Sequence, residues 1–268
     1  MKLDGKVIAV TGGGNGIGRQ LVLELLDRGA KVAAVDIRQE ALDETAGIAG
    51  AGDRLATVVC DVTDRAGMGA LPGKVIAVHG VVDGFISNAG IIQPFVKLND
   101  LDYDTIERVI NVNLYGTINM VKSFLPYLLE RPVAHVANVS SMGGFLPVPG
   151  QTIYGAAKAG VKLLTEGLYA ELLETSVGVS VIMPGAVATD ITSNSGVEVP
   201  GGVDVEAAAE SYRTTAPDEA ARIILDGIES DRLHIYVGRD SRMMNLLNRA
   251  APRRSTHIIQ KQMKDLLD

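Results

Sequence analysis

The feature that most constrains this chain is an apolar run that breaks into glycines and then into a helical pattern. Val7-Ile8-Ala9-Val10 reads as a strand covered on both faces, as parallel sheets require. It leads into Thr11-Gly12-Gly13-Gly14-Asn15-Gly16-Ile17-Gly18-Arg19, and Gln20 to Arg28 then reads as a helix. Glycines at such a turn let the backbone approach a diphosphate, which rests on the positive end of the following helix. A glycine-rich turn can equally be a plain structural turn, so its weight comes from the strand before it and the helix after it. In this context Gly12, Asn15, Gly16, Ile17 and Gly18 are expected to hold a dinucleotide.

The alternation continues. Lys31 to Val35 reads as the second strand and ends at Asp36, where a carboxylate accepts both ribose hydroxyls of NAD and repels the 2′-phosphate of NADP. Arg38 is the counter-signal, since a nearby arginine can accommodate that phosphate, and Asp36 can also be read as a solvated turn or a helix cap. A helix follows from about Gln39, then a strand over Leu55 to Cys60 with Asp61 and Val62 at its carboxyl end. A helical stretch over Gly67 to Gly80 is interrupted by Pro72-Gly73, and a fourth strand, Val82 to Ile86, opens into Ser87-Asn88-Ala89-Gly90. Strands and helices alternating at this spacing imply right-handed crossovers, hence an α/β fold with a doubly wound parallel sheet of Rossmann type. Ligands belong at the carboxyl ends of its strands.

Asp102 to Leu129 is amphipathic and reads as one long helix that contains Asn111 and Asn113; an asparagine in mid-helix usually faces solvent or bonds to backbone. A fifth strand, Ala134 to Val139, delivers Ser140 and Ser141. Tyr154 and Lys158 then lie on one face of a helix running to about Thr175. A phenol exchanges protons near neutrality only if its pKa falls by roughly 3 units from about 10, or about 4 kcal/mol. One ammonium about 4 Å away at an effective dielectric near 20 supplies on the order of 4 kcal/mol. Ser141 stands ready to hydrogen-bond the oxygen that gains or loses the proton. The commonplace alternative is an exposed helical Tyr–Lys pair. Strand Val179 to Met183 follows, then Pro184-Gly185-Ala186-Val187-Ala188-Thr189.

Size and charge narrow the classes. The 268 residues fit one large α/β domain, and a net charge of −7 opposes nucleic-acid binding, which needs a dominant basic surface. No run approaches the roughly 20 apolar residues of a membrane span, and the start lacks the apolar core of a secretory signal, so a cytoplasmic protein is expected. The lone Cys60 excludes an internal disulfide and reads as a buried thiol; no metal site is expected.

With these residues in place, the chain resembles the classical short-chain dehydrogenase/reductase family over roughly residues 4 to 238. The T-G-x-x-x-G-I-G element matches Thr11 to Gly18, N-A-G matches Asn88 to Gly90, and N-L-x-G points to Asn113 rather than Asn111. The S-S-x-x-G, Y-x-x-x-K and P-G-x-V-x-T elements match Ser141, Tyr154 with Lys158, and Pro184 to Thr189. The resemblance implies hydride transfer between C4 of a nicotinamide and a carbinol or carbonyl carbon. Tyr154 would be the general acid/base, and Lys158 would depress its pKa and bind the nicotinamide ribose. Ser141 would hold the substrate oxygen, and Asn113 would keep a water in a relay towards Lys158. Asp61 and Val62 would flank the adenine; Asn88, Ala89, Gly90, Pro184, Gly185, Val187 and Thr189 would complete the cofactor site. Ser87 departs from the pattern where many relatives carry a second asparagine, and the chain continues after Gly238 where many relatives end.

Residues 191–215, poor in periodicity, are expected to form a mobile lid on a domain spanning 1–238, with a helical C-terminal extension over 239–268. Met142, Phe145, Leu146, Val148 and Ile191 are candidates for the substrate wall, or else plain core, and suit a lipophilic secondary alcohol or its ketone. The extension carries seven Lys/Arg against three Asp, a local +4, on two amphipathic pieces divided by Pro252. Packing on the body or in a homo-oligomer is the expected use, with peripheral membrane contact as the alternative. The competing functions are an NADP-preferring carbonyl reductase and a catalytically idle NAD sensor of the same fold, the latter disfavoured by the intact Asn113, Ser141, Tyr154 and Lys158 set. A nucleotide-sugar epimerase or dehydratase is disfavoured by the glycine spacing.

Overall fold

The computed structural model describes residues 1–189, 191–197 and 214–263. Most of the expected lid, residues 198–213 with residue 190 beside it, and the end of the extension, 264–268, lie outside the described residues.

Seven parallel strands form one sheet in the order β3-β2-β1-β4-β5-β6-β7. They are β1 Val7–Thr11, β2 Lys31–Asp36, β3 Leu55–Val59, β4 Gly84–Ser87, β5 Ala134–Val139, β6 Val177–Pro184 and β7 His234–Val237. The first strand is buried along its whole length, as its unbroken apolar run demands. It pairs with β2 from Val7↔Lys31 on one side and with β4 from Ile8↔Gly84 on the other. The strand order therefore reverses between β1 and β4, and the carboxyl ends of the strands part there into a crevice.

Helices cover both faces. On one, α1 Gly16–Asp27 lies against α8 Pro217–Glu229, burying Leu21, Leu25, Ile224 and Leu225. On the other, α3 Arg65–His79, α5 Gly116–Leu128 and α6 Thr152–Leu172 bury Met68, Val75, Phe124 and Leu168 around Phe85, whose ring stands 5.5 Å from that of Phe124. The remaining helices are α2 Gln39–Ala49, α4 Tyr103–Ile110, the short α7 Ile191–Asn194, and the extension's α9 Arg239–Ala250 and α10 Pro252–Met263.

The structure corrects three expectations. Asp102 to Leu129 is helical as read, capped at those two residues, but it is not regular: a π turn, Asn111–Tyr115, lies between α4 and α5. The Asn113 side chain provides the reason, donating to the Val109 carbonyl four residues back at 2.9 Å and to Ile91 across the crevice at 2.8 Å. Pro72 does not interrupt α3, which runs unbroken with Pro72 buried inside it. The fourth strand begins at Gly84 rather than Val82; the preceding Asp83 still bonds Val7 and His135 through its backbone, and its carboxylate accepts the Val7 N–H at 3.1 Å and the Arg131 guanidinium at 2.9 Å.

The extension packs on the body of the chain. Met244 and Ile259 bury against Leu146, Ser241 donates to the Met183 carbonyl at 2.8 Å, and Asp240 accepts from the Ala186 N–H at 2.8 Å. Met243, Leu246 and Ile258 remain exposed. No helix among the described residues is long and apolar enough to cross a membrane.

Candidate active site

The glycine loop occupies the crevice mouth. Gly12 and Gly16 hold φ of +68° and +52°, which side-chain-bearing residues rarely adopt, and a Cβ on Gly18 would run into the Gly12 carbonyl. Asn15 caps α1 by accepting the Gly16 N–H at 2.6 Å. Arg19 is spent on the loop itself, donating to the Gly14 carbonyl at 2.7 Å while pairing with Glu44. Asp36 closes the far side: its carboxylate accepts from the Gly14 N–H at 3.0 Å and from the Arg38 N–H at 3.1 Å.

Gly12, Asn15, Gly16, Ile17, Asp36 and Arg38 line a cleft of about 320 Å3 with Asp61, Val62, Asn88, Ala89, Gly90 and Thr189, whereas Gly18 stands behind the loop against the Gly12 carbonyl. Sequence reading missed Ile37, Ile91, Val112 and Asn194, each of which adjoins a recognised motif. Cys60 also lines it; burial pushes its thiol up, as expected of an inert cysteine. The loop after β4 is buttoned to β1, since Thr11 Oγ1 accepts from the Asn88 and Ala89 N–H groups at 3.0 and 3.1 Å. Of the four residues expected there from Pro184 to Thr189, Thr189 lines the cleft; Pro184 is buried as the last residue of β6, Gly185 donates to Val237, and Val187 bridges to Thr215.

Gly90 marks where the cleft meets the chemistry. A Cβ built there would lie 2.7 Å from Asn113 Oδ1 and 3.1 Å from Lys158 Nζ, so both atoms stand at the cleft's inner end. Asn113 is fully buried and its Oδ1 has no partner among the described residues, an acceptor open towards the cleft. Lys158 is also buried and donates to the Val139 carbonyl at 3.0 Å. Ser140 Oγ donates to the Lys158 carbonyl at 2.7 Å, tying the end of β5 to α6. Ser141 shares a hydrogen bond with Tyr154 and accepts the Gly143 N–H at 3.0 Å.

The electrostatics differ from the expectation that Lys158 depresses the Tyr154 pKa. Burial pushes the phenol above its ordinary value and the Ser141 hydrogen bond pulls it back in part. Lys158 is itself pushed down to about 8 by burial. Its Nζ stands 5.9 Å from the tyrosine ring centroid, because the ammonium is turned to the Val139 carbonyl.

The candidates for the substrate wall, or else plain core, fall in different places. Leu146 is fully buried under Met244 and Ile259, so it is core, and Ile191 lines the cofactor cleft. Met142 and Phe145 are partly exposed beside Ser141, and Val148 lies farther along the same loop. Gln93, absent from the sequence reading, is fully buried and accepts the Ile153 and Tyr154 N–H groups. Among the described residues no cluster of His, Cys, Asp and Glu could hold a metal ion.

The residues fit a dinucleotide. Their left-handed glycines leave a cradle no side chain fills, the α1 N-terminus faces it, Asp36 offers a ribose acceptor, and the unpartnered Asn113 acceptor ends it. A family model for short chain dehydrogenases matches residues 6–199. The chain belongs to the short-chain dehydrogenase family. This short-chain dehydrogenase is 33% identical over 253 residues to SadH of Mycobacterium tuberculosis, covering 92% of this chain and 91% of that one. A short-chain dehydrogenase/reductase from Burkholderia phymatum in complex with NAD matches with a TM-score of 0.81 at 26% identity, over 93% of this chain and 96% of that one. A short-chain dehydrogenase from Burkholderia cenocepacia in complex with NADP matches with a TM-score of 0.80 at 26% identity, over 97% and 99%. The short-chain dehydrogenase is thus an oxidoreductase of a family that uses nicotinamide cofactors.

Proposed function

We propose that this short-chain dehydrogenase is NAD-dependent and interconverts a lipophilic secondary alcohol and its ketone, with Tyr154 as general acid and base. The observation that carries the reading is the convergence at Gly90: Asn113 Oδ1 and Lys158 Nζ both stand against it, and Lys158 is one helical turn from Tyr154, whose phenol bonds to Ser141. Bound in the cleft, the nicotinamide would accept or supply the hydride. Ser141 holds the substrate oxygen and Tyr154 moves its proton. Lys158 holds the nicotinamide ribose, and the free acceptor of Asn113 gives a water its place on the proton's way out.

NAD preference rests on Asp36, whose carboxylate faces the cleft and opposes a 2′-phosphate. One observation favours the second reading, an NADP-preferring carbonyl reductase: Arg38 lines the same cleft and has no ion-pair partner among the described residues. The partly exposed Met142 and Phe145 support an apolar substrate. A cytoplasmic location and a homo-oligomer complete the proposal, the oligomer supported by Leu163 and Tyr169 exposed along α6 and Leu173 exposed at its end.

Turnover of aliphatic, aromatic, steroid-like and polyol alcohols with NAD and with NADP tests it. Best turnover of an apolar secondary alcohol with NAD is expected. A clear polyol preference removes the substrate class, and better efficiency with NADP removes the cofactor assignment.

A further inference from the structure

The catalytic helix begins without a cap of its own. Gln151, the residue before α6, makes no side-chain bond to the first turn, and that turn carries no acidic residue. Free N–H groups at a helix start need acceptors. They find one far away in sequence: Gln93 Oε1 accepts the Ile153 N–H at 2.8 Å and the Tyr154 N–H at 3.0 Å. Gln151 returns the contact, donating from Nε2 to the Gln93 carbonyl at 2.7 Å.

Gln93 belongs to the loop that forms the inner end of the cofactor cleft. Its neighbours are fixed on every side: Asn88 and Ala89 to Thr11, Ile91 O to Asn113, and the Ile92 N–H to Ser195 Oγ at 3.0 Å. The amide itself is costly, since Gln93 is fully buried and its Nε2 has no partner among the described residues. An apolar side chain would fill the same space without that cost. What the amide adds is an acceptor, delivered from the cofactor loop to the backbone of Tyr154.

We propose that Gln93 is a positioning residue for Tyr154, locking the first turn of the catalytic helix to the cofactor loop so that phenol and nicotinamide site keep a fixed relation. The proposal rests on the reading of Tyr154 as the acid/base group.

Two variants separate its outcomes. Gln93→Leu removes the acceptor, and a misplacement near 1 Å lowers kcat by about 10²-fold with NAD affinity within about twofold of wild type. Gln93→Glu keeps the acceptor and restores most of kcat. Among the described residues, the groups placed beside the phenol are Lys158, which burial discharges near pH 8, and the neutral Ser141 side chain. The carboxylate that Gln93→Glu introduces, held ionised by two N–H bonds, adds an anion, so the limb of the pH profile that reports the phenol moves up by roughly one unit.

A Gln93→Leu enzyme with wild-type kcat overturns the proposal, as does a Gln93→Glu enzyme equally slow across the whole pH range. Should the leucine variant fail to fold, the glutamate variant decides: a restored rate with a displaced limb supports the proposal, and an unmoved limb overturns it. If wild type turns over no alcohol, the functional reading has failed, and Gln93 is then judged by ultraviolet titration of the Tyr154 phenol, isolated by subtracting Tyr154→Phe. A midpoint higher in Gln93→Glu than in wild type supports the proposal; equal midpoints overturn it.

Discussion

Lys158 Nζ lies 5.9 Å from the Tyr154 ring centroid and donates to the Val139 carbonyl at 3.0 Å, so the ammonium stands beside the tyrosine without bonding the phenol. The two groups are one helical turn apart, yet burial acts on each in the direction that discharges it: the phenol stays protonated to higher pH and the lysine loses its proton near 8. The site holds a charge at a cost in stability.

That cost is measurable. Lys158 has an ordinary pKa of 10.5 and a folded pKa of about 8, so between those values the unfolded chain binds the extra proton and stability rises with pH. Below pH 8 the folded chain carries the full penalty. Replacing Lys158 with Met should therefore stabilise the protein at pH 7 by about 2 kcal/mol, allowing for the lost Val139 bond, while abolishing turnover. Urea unfolding at pH 7 and pH 10 checks it; a wild type as stable as the variant at pH 7 would contradict the burial penalty.

Tyr154→Phe keeps the ring and its packing while removing the exchangeable proton. The expected result is a loss of kcat of about 10³-fold or more, with NAD binding within about twofold of wild type. Isothermal titration with NAD beside steady-state kinetics would check both halves, and a Phe variant that retains its rate would remove the acid/base assignment.

Gly90 is open on one side to the cleft and on the other to Asn113 and Lys158. A methyl group at position 90 would meet Asn113 Oδ1 at 2.7 Å and Lys158 Nζ at 3.1 Å, so one of them must move. Gly90→Ala should lower kcat by at least about tenfold and leave the melting temperature within a few degrees. Circular dichroism melting alongside kcat separates this from global damage.

Much of this was legible in the chain because it depends on local chemistry. The continuous apolar run Val7 to Val10 has no polar face, and β1 occupies those residues and Thr11, buried throughout. Glycines with positive φ must sit in turns, and Pro217 with Asp218 and Glu219 opens α8 as proline and carboxylates do. What escaped was set by distant partners. Asn113 reads as a poor helix residue until Ile91 supplies an acceptor 22 positions away. Gln93 carries no local signal, since its partners lie 60 and 61 positions on. Leu146 was indistinguishable from a pocket residue until α9 and α10 covered it.

Cofactor choice turns on Asp36, which accepts two backbone N–H groups and is thereby fixed at the cleft. Asp36→Ser removes the charge and retains a small hydrogen-bonding group, leaving Arg38 as the local ion. The ratio of kcat/KM for NAD to that for NADP should fall by at least about tenfold, consistent with loss of one close charge repulsion. An unchanged ratio would mean that Asp36 serves the loop and not the ribose.

The extension reaches the site through Asn248, whose Nδ2 donates to the Phe145 carbonyl at 2.7 Å while Ser255 Oγ, fully buried, donates to its Oδ1 at 2.8 Å. Phe145 follows Ser141 on the loop that carries the partly exposed Met142, so this bond holds the far edge of the proposed substrate wall. Asn248→Ala should destabilise the protein by about 1 kcal/mol, the usual value of one lost hydrogen bond. It should also raise KM for a lipophilic alcohol severalfold while the KM for NAD stays constant, because the bond touches the loop and not the glycine cleft. Ser255→Ala, which frees the amide to turn, should act in the same direction but less strongly. A parallel rise in both KM values would instead mean that the extension supports the whole crevice.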